Sequence, residues 1–410
     1  MPRTTVFATI AATAALAGLA ACSSSSNQAQ TAPADERRTL APDTTQATDE
    51  GLVTRAGELR INHDHWASAG YRWDWSARPR VERGGDLERV DVSSGLLLAQ
   101  DTRGTLSAIE TDSGRVRWAV TPANRLVTFH GATVVNNMVF VFARPSLYAL
   151  DADTGTFLSR QEMDVVVATK PFIEGGLAVF GTPKGEVYGH EFGDSRGELL
   201  APPLHKGRKA WGYQIDGAVL QQPVMVGGRI GVVSDTGTVF FVDPVTAAGV
   251  GSGRTYGGVD AQPVTDGLRL FAASRDQSVY AFNPNGQLVW RYPTAATLRA
   301  QPVVWNRQGD PNRSVLFVDI PGEGIAAFEG PTGEKLWANA DAGGTVVSIH
   351  DGTAIAVEGE TVTTVDLRDG STIERFTVRG LREVVADGVV DADVYLLGDD
   401  GYIAKLAPRR

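Results

Sequence analysis

Beyond about residue 60, apolar residues come in short runs separated by Gly, Asp, Asn and Pro, and no stretch sustains a helical period. Such runs between turn-forming residues read as β-strands, so an all-β domain is expected. The runs also repeat a grammar. An apolar strand leads into a Gly/Asp/Thr turn, a second strand ends near Ala-x-Asp, a turn follows near Thr-Gly, and a short strand often ends in Trp. Leu96 to Trp118 (LLLAQDTRGTLSAIETDSGRVRW) and Val315 to Trp337 (VLFVDIPGEGIAAFEGPTGEKLW) show it in full. Val139 to Ser159 and Leu270 to Trp290 come close, and weaker copies start near Leu177, Ile230, Ala354 and Val394.

Unit starts at 95, 138, 177, 229, 268, 314, 352 and 392 lie 38 to 52 residues apart. That period suits one four-stranded blade, so the predicted fold is a β-propeller of about eight four-stranded blades, with seven as the alternative. A second marker keeps the same beat: Lys170-Pro171, Gln222-Pro223-Val224, Gln262-Pro263-Val264 and Gln301-Pro302-Val303 each precede an apolar strand. Proline is tolerated at the first residue of a strand, where its missing N–H leaves the ladder intact, so these should open the innermost strands around the channel. The final unit, Val394 to Leu406, has no Trp strand, whereas Tyr71-Arg72-Trp73-Asp74-Trp75 is a Trp strand without a unit. Pairing of these N- and C-terminal strands would close the ring and remove an exposed edge.

The turn motif carries a family resemblance. Ala327, Glu329, Thr332, Gly333 and Trp337 follow the pattern Ala-x-Asp-x-x-Thr-Gly-x-x-x-Trp with one conservative change. Ala108, Glu110, Ser113, Gly114 and Trp118 follow it with two. Ala149, Asp151, Thr154 and Gly155 follow it until Ser159 replaces the Trp, and Ala281, Asn283, Gly286 and Trp290 form a looser copy. In this the chain resembles the PQQ-like (pyrroloquinoline-quinone-type) propellers. Glycine is expected to supply a positive-φ position, the acid or Asn to accept turn amides, and Ala to leave room for a neighbouring blade's indole. Trp73-Asp74 lacks the Gly-His partner of a WD40 repeat.

Residues 1–21 hold one charge, Arg3, followed by an uncharged stretch from Thr4 to Ala21, the layout of a signal peptide. Leu19-Ala20-Ala21-Cys22 resembles the bacterial lipoprotein box, which implies cleavage before Cys22 and lipid on its thiol. Cys22 is the only cysteine, so the chain has no intrachain disulfide. Residues 22–60, rich in Ser, Thr, Ala and Pro, are expected to form a disordered tether, and residues 61–410 the propeller. The net charge of −10 argues against nucleic acid or an anionic membrane surface as partner. Lipid is then the expected route to the membrane.

Quinoprotein dehydrogenases share these repeats, and that family implies a vicinal disulfide, a calcium site and a catalytic aspartate. No second cysteine exists here, and no acidic cluster has calcium-ligand spacing, so neither the quinone nor another cofactor is expected. His-Glu-x-x-His and phosphate-loop motifs are absent from the sequence, and the reading is of a non-enzyme without a metal. His63-Asp64-His65-Trp66 offers two imidazoles but reads as a solvated loop at the tether's end.

Two sets of binding candidates remain. Lys170, Gln222, Gln262, Arg299 and Gln301 fall near one mouth of the channel, where they would bind a ligand or peptide, or hydrogen-bond neighbouring inner strands. The longest unit spacing contains a basic, aromatic stretch with His205, Lys206, Arg208, Lys209 and Trp211, a candidate partner loop or a plain solvated one. Propeller and lipid signal together are similar to the BamB-type assembly-factor lipoproteins. That resemblance implies a monomeric, non-catalytic scaffold anchored by lipid on the extracytoplasmic face of the bacterial cell membrane, holding an envelope protein partner. A quinone- or small-ligand-binding channel and a sensor or glycan-binding module are the alternatives.

Overall fold

The computed structural model describes residues 44–48, 51–122, 129–143, 146–174, 176–191 and 208–410. Among these residues are eight four-stranded antiparallel sheets and one three-stranded sheet. Blade 1 comprises Leu87–Ser93, Leu96–Asp101, Leu106–Glu110 and Val116–Val120. Blades 2 to 7 follow in order, with first strands Phe129–Val135, Phe172–Glu174, Val224–Val226, Val264–Thr265, Val303–Asn306 and Thr345–His350. Blade 8 comprises Leu381–Ala386, Val394–Gly398 and Ile403–Pro408, and its outer strand is Tyr71–Ala77 from the other end of the chain. Lys405 faces Trp75, and Pro408 faces Tyr71. The predicted closure is therefore present. Each repeat start read from the sequence falls within two residues of a blade's second strand.

The second and third strands are apolar on both faces because each blade is sandwiched between two others. Leu96–Asp101 and Ser278–Phe282 are buried throughout. Eight core clusters arise, several spanning two adjacent blades, as where Leu98 and Trp118 meet Val139 and Leu150.

A single contact recurs between blades. Trp118 on the outer strand of blade 1 faces Ala108 of its own blade, and its Nε1–H donates to the Ala152 carbonyl of blade 2 at 2.9 Å. Trp75 does the same to Thr111 at 2.9 Å, Trp290 to Gly330 at 2.7 Å and Trp337 to Leu367 at 3.1 Å. Each indole lies on the glycine of the turn it grips. A Cβ at Gly333, where φ is +73°, would stand 2.5 Å from the Trp290 ring. The sequence reading needs one adjustment. Ala makes room for its own blade's indole, and glycine receives the neighbour's. Acids and Asn do accept turn amides: Asp151 Oδ1 takes Thr154 N–H at 2.8 Å, and Asn283 Oδ1 takes Asn285 N–H at 3.0 Å.

Where the indole hydrogen bond is not made, another device takes its place. Between blades 3 and 4, the Tyr213 hydroxyl donates to Ala247 O at 2.6 Å and accepts Gly249 N–H at 2.8 Å. Between blades 4 and 5, Gly251 occupies the indole's register position opposite Phe241. A Cβ there would lie 1.9 Å from the Asn285 carbonyl oxygen, so two backbones touch directly.

Between blades 7 and 8 the structure corrects two sequence expectations. Residues 44–60 are not all tether: Thr44–Thr48, Gly51–Ala56 and Leu59–Asn62 form the three-stranded sheet. His63-Asp64-His65-Trp66 is no solvated loop but opens a short helix, His63–Ser68, capped by the Asn62 side chain. The reason is apolar burial. Ala56, Leu59, Ile61 and Trp66 pack against Ile355 and Phe376 of blade 7 and Leu396 and Tyr402 of blade 8. Blade 8 has no continuous turn for an indole to grip. Glu374 stands at the indole position of blade 7 and instead takes hydrogen bonds from His65 and Ser68 of the helix. The closing strand is pinned as well: Tyr71 Oη bonds Ser348 Oγ at 2.7 Å, and Lys405 Nζ sits 2.8 Å from Asp393 and 3.4 Å from Asp74. Residues 1–43, with Cys22 and the expected signal peptide, lie outside the described residues.

Two predictions follow from these contacts. Trp337→Ala should cost about 3–5 kcal/mol, as for other buried aromatic truncations, read by chemical denaturation. Glu110 tests acid stability. Hydrogen bonds from Arg115 and Ser113, helped by Arg117, hold its carboxyl down to about 2. Its folded value lies below the unfolded one of about 4.3, so its contribution is present above that pH and lost as pH falls through about 2. Glu110→Gln should therefore weaken the fold near neutrality, and its difference from the parent should vanish toward about pH 2.

Candidate functional site

The first strands of successive blades adjoin one another and surround the central channel. Proline-led starts do open these strands: Pro171 precedes Phe172–Glu174, Pro223 precedes Val224–Val226, Pro263 precedes Val264–Thr265 and Pro302 precedes Val303–Asn306. The residues next to these prolines are mostly occupied in joining blades. Gln222 Nε2 donates to Pro171 O at 3.1 Å. Gln222 N–H donates to Gln262 Oε1 at 2.8 Å, and Gln262 Nε2 returns a bond to Gln222 O at 2.8 Å. Lys170 reaches over Gly131 of blade 2 to place Nζ 2.8 Å from Asp91 Oδ1 of blade 1. The other Asp91 oxygen accepts Ala132 N–H at 2.9 Å and Gln100 Nε2 at 3.1 Å. Three of the five mouth candidates thus stitch blades 1 to 5 together. Only Arg299 and Gln301 remain exposed, Arg299 standing 3.5 Å from Asp260 Oδ2.

Below this belt the channel holds a cavity of about 530 Å³. Its lining is dominated by valines, among them Val224, Val264, Val303, Val346, Val384 and Val389, with Gln262, Gln301, Thr265 and Thr345 as the polar side chains. No charged side chain lines it. The tricarboxylate quinone that this fold family hosts elsewhere would leave its anionic groups without partners against such a wall. Among the described residues no group of three or more His, Cys, Asp or Glu is placed to hold a metal ion. The residues present do not fit that cofactor.

The second candidate, the basic stretch, divides. His205 and Lys206 lie outside the described residues, and Arg208 and Lys209 begin the outer strand Arg208–Gln214 of blade 3. Trp211 is no partner contact: it is buried opposite Gly189, where a Cβ would sit 2.2 Å from its ring. It occupies the same register position as Trp118 and Trp337, which the missing Thr-Gly signature of this unit had hidden. Lys209 places Nζ 4.2 Å from the centre of the Tyr188 ring.

One feature of the ring surface escaped the sequence reading. Every outer strand runs toward the same face, where it connects to the next blade's first strand. Four successive connections there carry exposed side chains suited to contact: Val166 (53%), Leu220 (47%), Tyr256 (82%) and Arg299. Arg291 lies 5.0 Å from the Tyr256 ring. The available signal was an apolar or aromatic residue between a Trp strand and the next Gln-Pro, a place that a buried loop residue would also fill.

Comparison with known proteins agrees with this architecture. The family model described as "Outer membrane protein assembly factor BamB" matches residues 65–195 and 192–373. The chain belongs to this family of PQQ-like propellers. Among solved structures, BamB from Moraxella catarrhalis is 17% identical at a TM-score of 0.61, covering 82% of this chain and 97% of that one. The computationally designed Ika8 protein is 13% identical at 0.59, covering 79% of this chain and 96% of its own. Sqt1 of Saccharomyces cerevisiae is 10% identical at 0.61, covering 82% and 100%. At these identities the likeness is one of fold. No curated protein matches the chain in sequence.

The stitching belt makes a measurable claim. Lys170→Met would leave Asp91 half-buried without its cation, and should cost about 2 kcal/mol in chemical denaturation. Double replacement with Asp91→Asn should recover part of that loss, because no buried charge is then stranded.

Proposed function

We propose that this protein is a non-catalytic scaffold of the bacterial cell envelope, anchored by lipid on Cys22 and holding a protein partner against one face of its propeller. The observation that carries the reading is the combination of two surfaces. The face bearing Val166, Leu220, Tyr256 and Arg299 offers aliphatic, aromatic and guanidinium groups, the composition of interface hot spots. The cavity beneath it, lined by blades 4 to 8, offers a valine-rich wall without charged groups to orient a reacting substrate. Membership of a family described by an assembly factor supports a role in holding proteins together. Among the described residues no helix is long and apolar enough to cross a membrane; attachment in this reading is by lipid on Cys22.

The test is co-purification from native membranes after mild crosslinking. Partners recovered with the parent protein should be lost from a Leu220→Asp, Tyr256→Asp, Arg299→Glu variant whose melting is unchanged, since hot-spot truncations cost roughly 2 kcal/mol or more each. Retention of the same partners by that variant would refute the face. Replacing Cys22 by Ser should move the protein to the soluble fraction. Saturable binding of pyrroloquinoline quinone with calcium, accompanied by dye reduction, would overturn the non-catalytic reading.

A further inference from the structure

A second cavity lies on the opposite face, between blades 6 and 7, with a volume of about 890 Å³. One wall is Trp305, at the end of the blade 6 first strand, with the Arg307 guanidinium stacked 5.5 Å from its ring centre. The other wall comes from two blade 7 turns that present Asp351, Asp366, Leu367 and Arg368. These walls are held firmly. Leu367 N–H donates to Gly352 O at 3.0 Å, joining the two blade 7 turns. Leu367 O accepts the Trp337 indole at 3.1 Å. On the blade 6 side, Asn306 Nδ2 donates to Asp266 O at 2.9 Å, and Arg269 donates to Pro311 O at 2.6 Å. The two short helical turns Arg307–Gly309 and Pro311–Arg313 form the tip of this hairpin, which is thus tied to blade 5.

The chemistry of the lining is selective. Its charged residues are two arginines and two aspartates, and they sum to zero. Arg368 is already matched by Asp366, with Nε 3.0 Å from Oδ1, so no excess of positive charge awaits an anion. Leu367 is its only aliphatic side chain apart from threonine, too little apolar surface for the side-chain pockets that hold a peptide. What remains is the part of the indole that Arg307 leaves uncovered, surrounded by planar groups able to form paired hydrogen bonds. An uncharged sugar matches both features: axial C–H groups lie on an aromatic face, and vicinal hydroxyls pair with carboxylate or guanidinium edges.

We propose that this cavity is a binding site for a neutral oligosaccharide, with Trp305 as the stacking platform and Asp351 and Arg368 as hydroxyl partners. It is separate from the partner-binding face described above and does not depend on it. The open cavity and water-facing charges suit a ligand held weakly and reversibly.

Calorimetric titration of the protein with chitotriose, maltotriose and mannotriose tests this, with trigalacturonate as the anionic comparison. At least one neutral trisaccharide should bind saturably, with a Kd in the micromolar to low millimolar range, and trigalacturonate more weakly. Trp305→Ala should weaken binding roughly tenfold or more, Trp305→Phe should retain most of it, and Arg368→Ala should weaken it with Trp305 intact. Melting of each variant shows whether the ring is intact, and Arg368→Ala, on an exposed turn, keeps the test decisive if Trp305→Ala fails to fold. Absence of saturation by all three neutral sugars, stronger binding of trigalacturonate, or equal binding by folded Trp305 and Arg368 variants would each overturn the assignment.

Discussion

The ring depends on one donor: an indole N–H that reaches from the outer strand of one blade to a turn carbonyl of the next. It combines a large apolar surface with a single polar atom, and the turn offers both a bare glycine Cα and an otherwise unpaired carbonyl. Four interfaces use this clamp. Three of the other interfaces show what takes over when the indole hydrogen bond is not made. Tyr213 delivers a hydroxyl to the same kind of carbonyl, Gly251 lets two backbones meet, and Glu374 turns to the helix that stands beside it. Each solution preserves close packing between neighbouring sheets, which is how a ring without disulfides is held together.

Period, strand order and closure were legible in the sequence because they rest on local signals. Pro171, Pro223, Pro263 and Pro302 mark strand starts by lacking an N–H, and the Thr-Gly turns mark the third hairpin by needing a positive φ. The residues misread were those whose role is decided by a distant partner. Trp211 looked like an exposed anchor because its neighbours are basic, yet its register against Gly189 buries it. Trp66 lies in a polar stretch with no repeat to announce it, and its place is set by Phe376 and Tyr71, more than three hundred residues apart from each other. Hydrophobic periodicity cannot register a lone indole of that kind.

The candidate sites show the same division. Lys170, Gln222 and Gln262 repeat because the blades repeat, and their polar atoms serve the inner strands. Their spacing carried architecture under the appearance of chemistry. Groups turned outward to meet a ligand or a protein are those that break the repeat, such as Tyr256 and Arg299 on one face and the hairpin with two short helical turns after Trp305 on the other. Departures from the common unit are therefore more informative about function than its faithful copies.

The pairing of Tyr71–Ala77 with Ile403–Pro408 also orders events in time. Synthesis delivers the closing strand before the other strands of the ring and its partner strand Ile403–Pro408 after them, so Trp73 and Trp75 wait for that partner while seven other sheets are made. Until the terminal residues arrive, the nascent chain has two open sheet edges and nowhere to hide them. A ring built this way has a built-in check: a product that stops short of Ile403–Pro408 cannot close, and displays to proteases and chaperones the edges that the closed ring conceals.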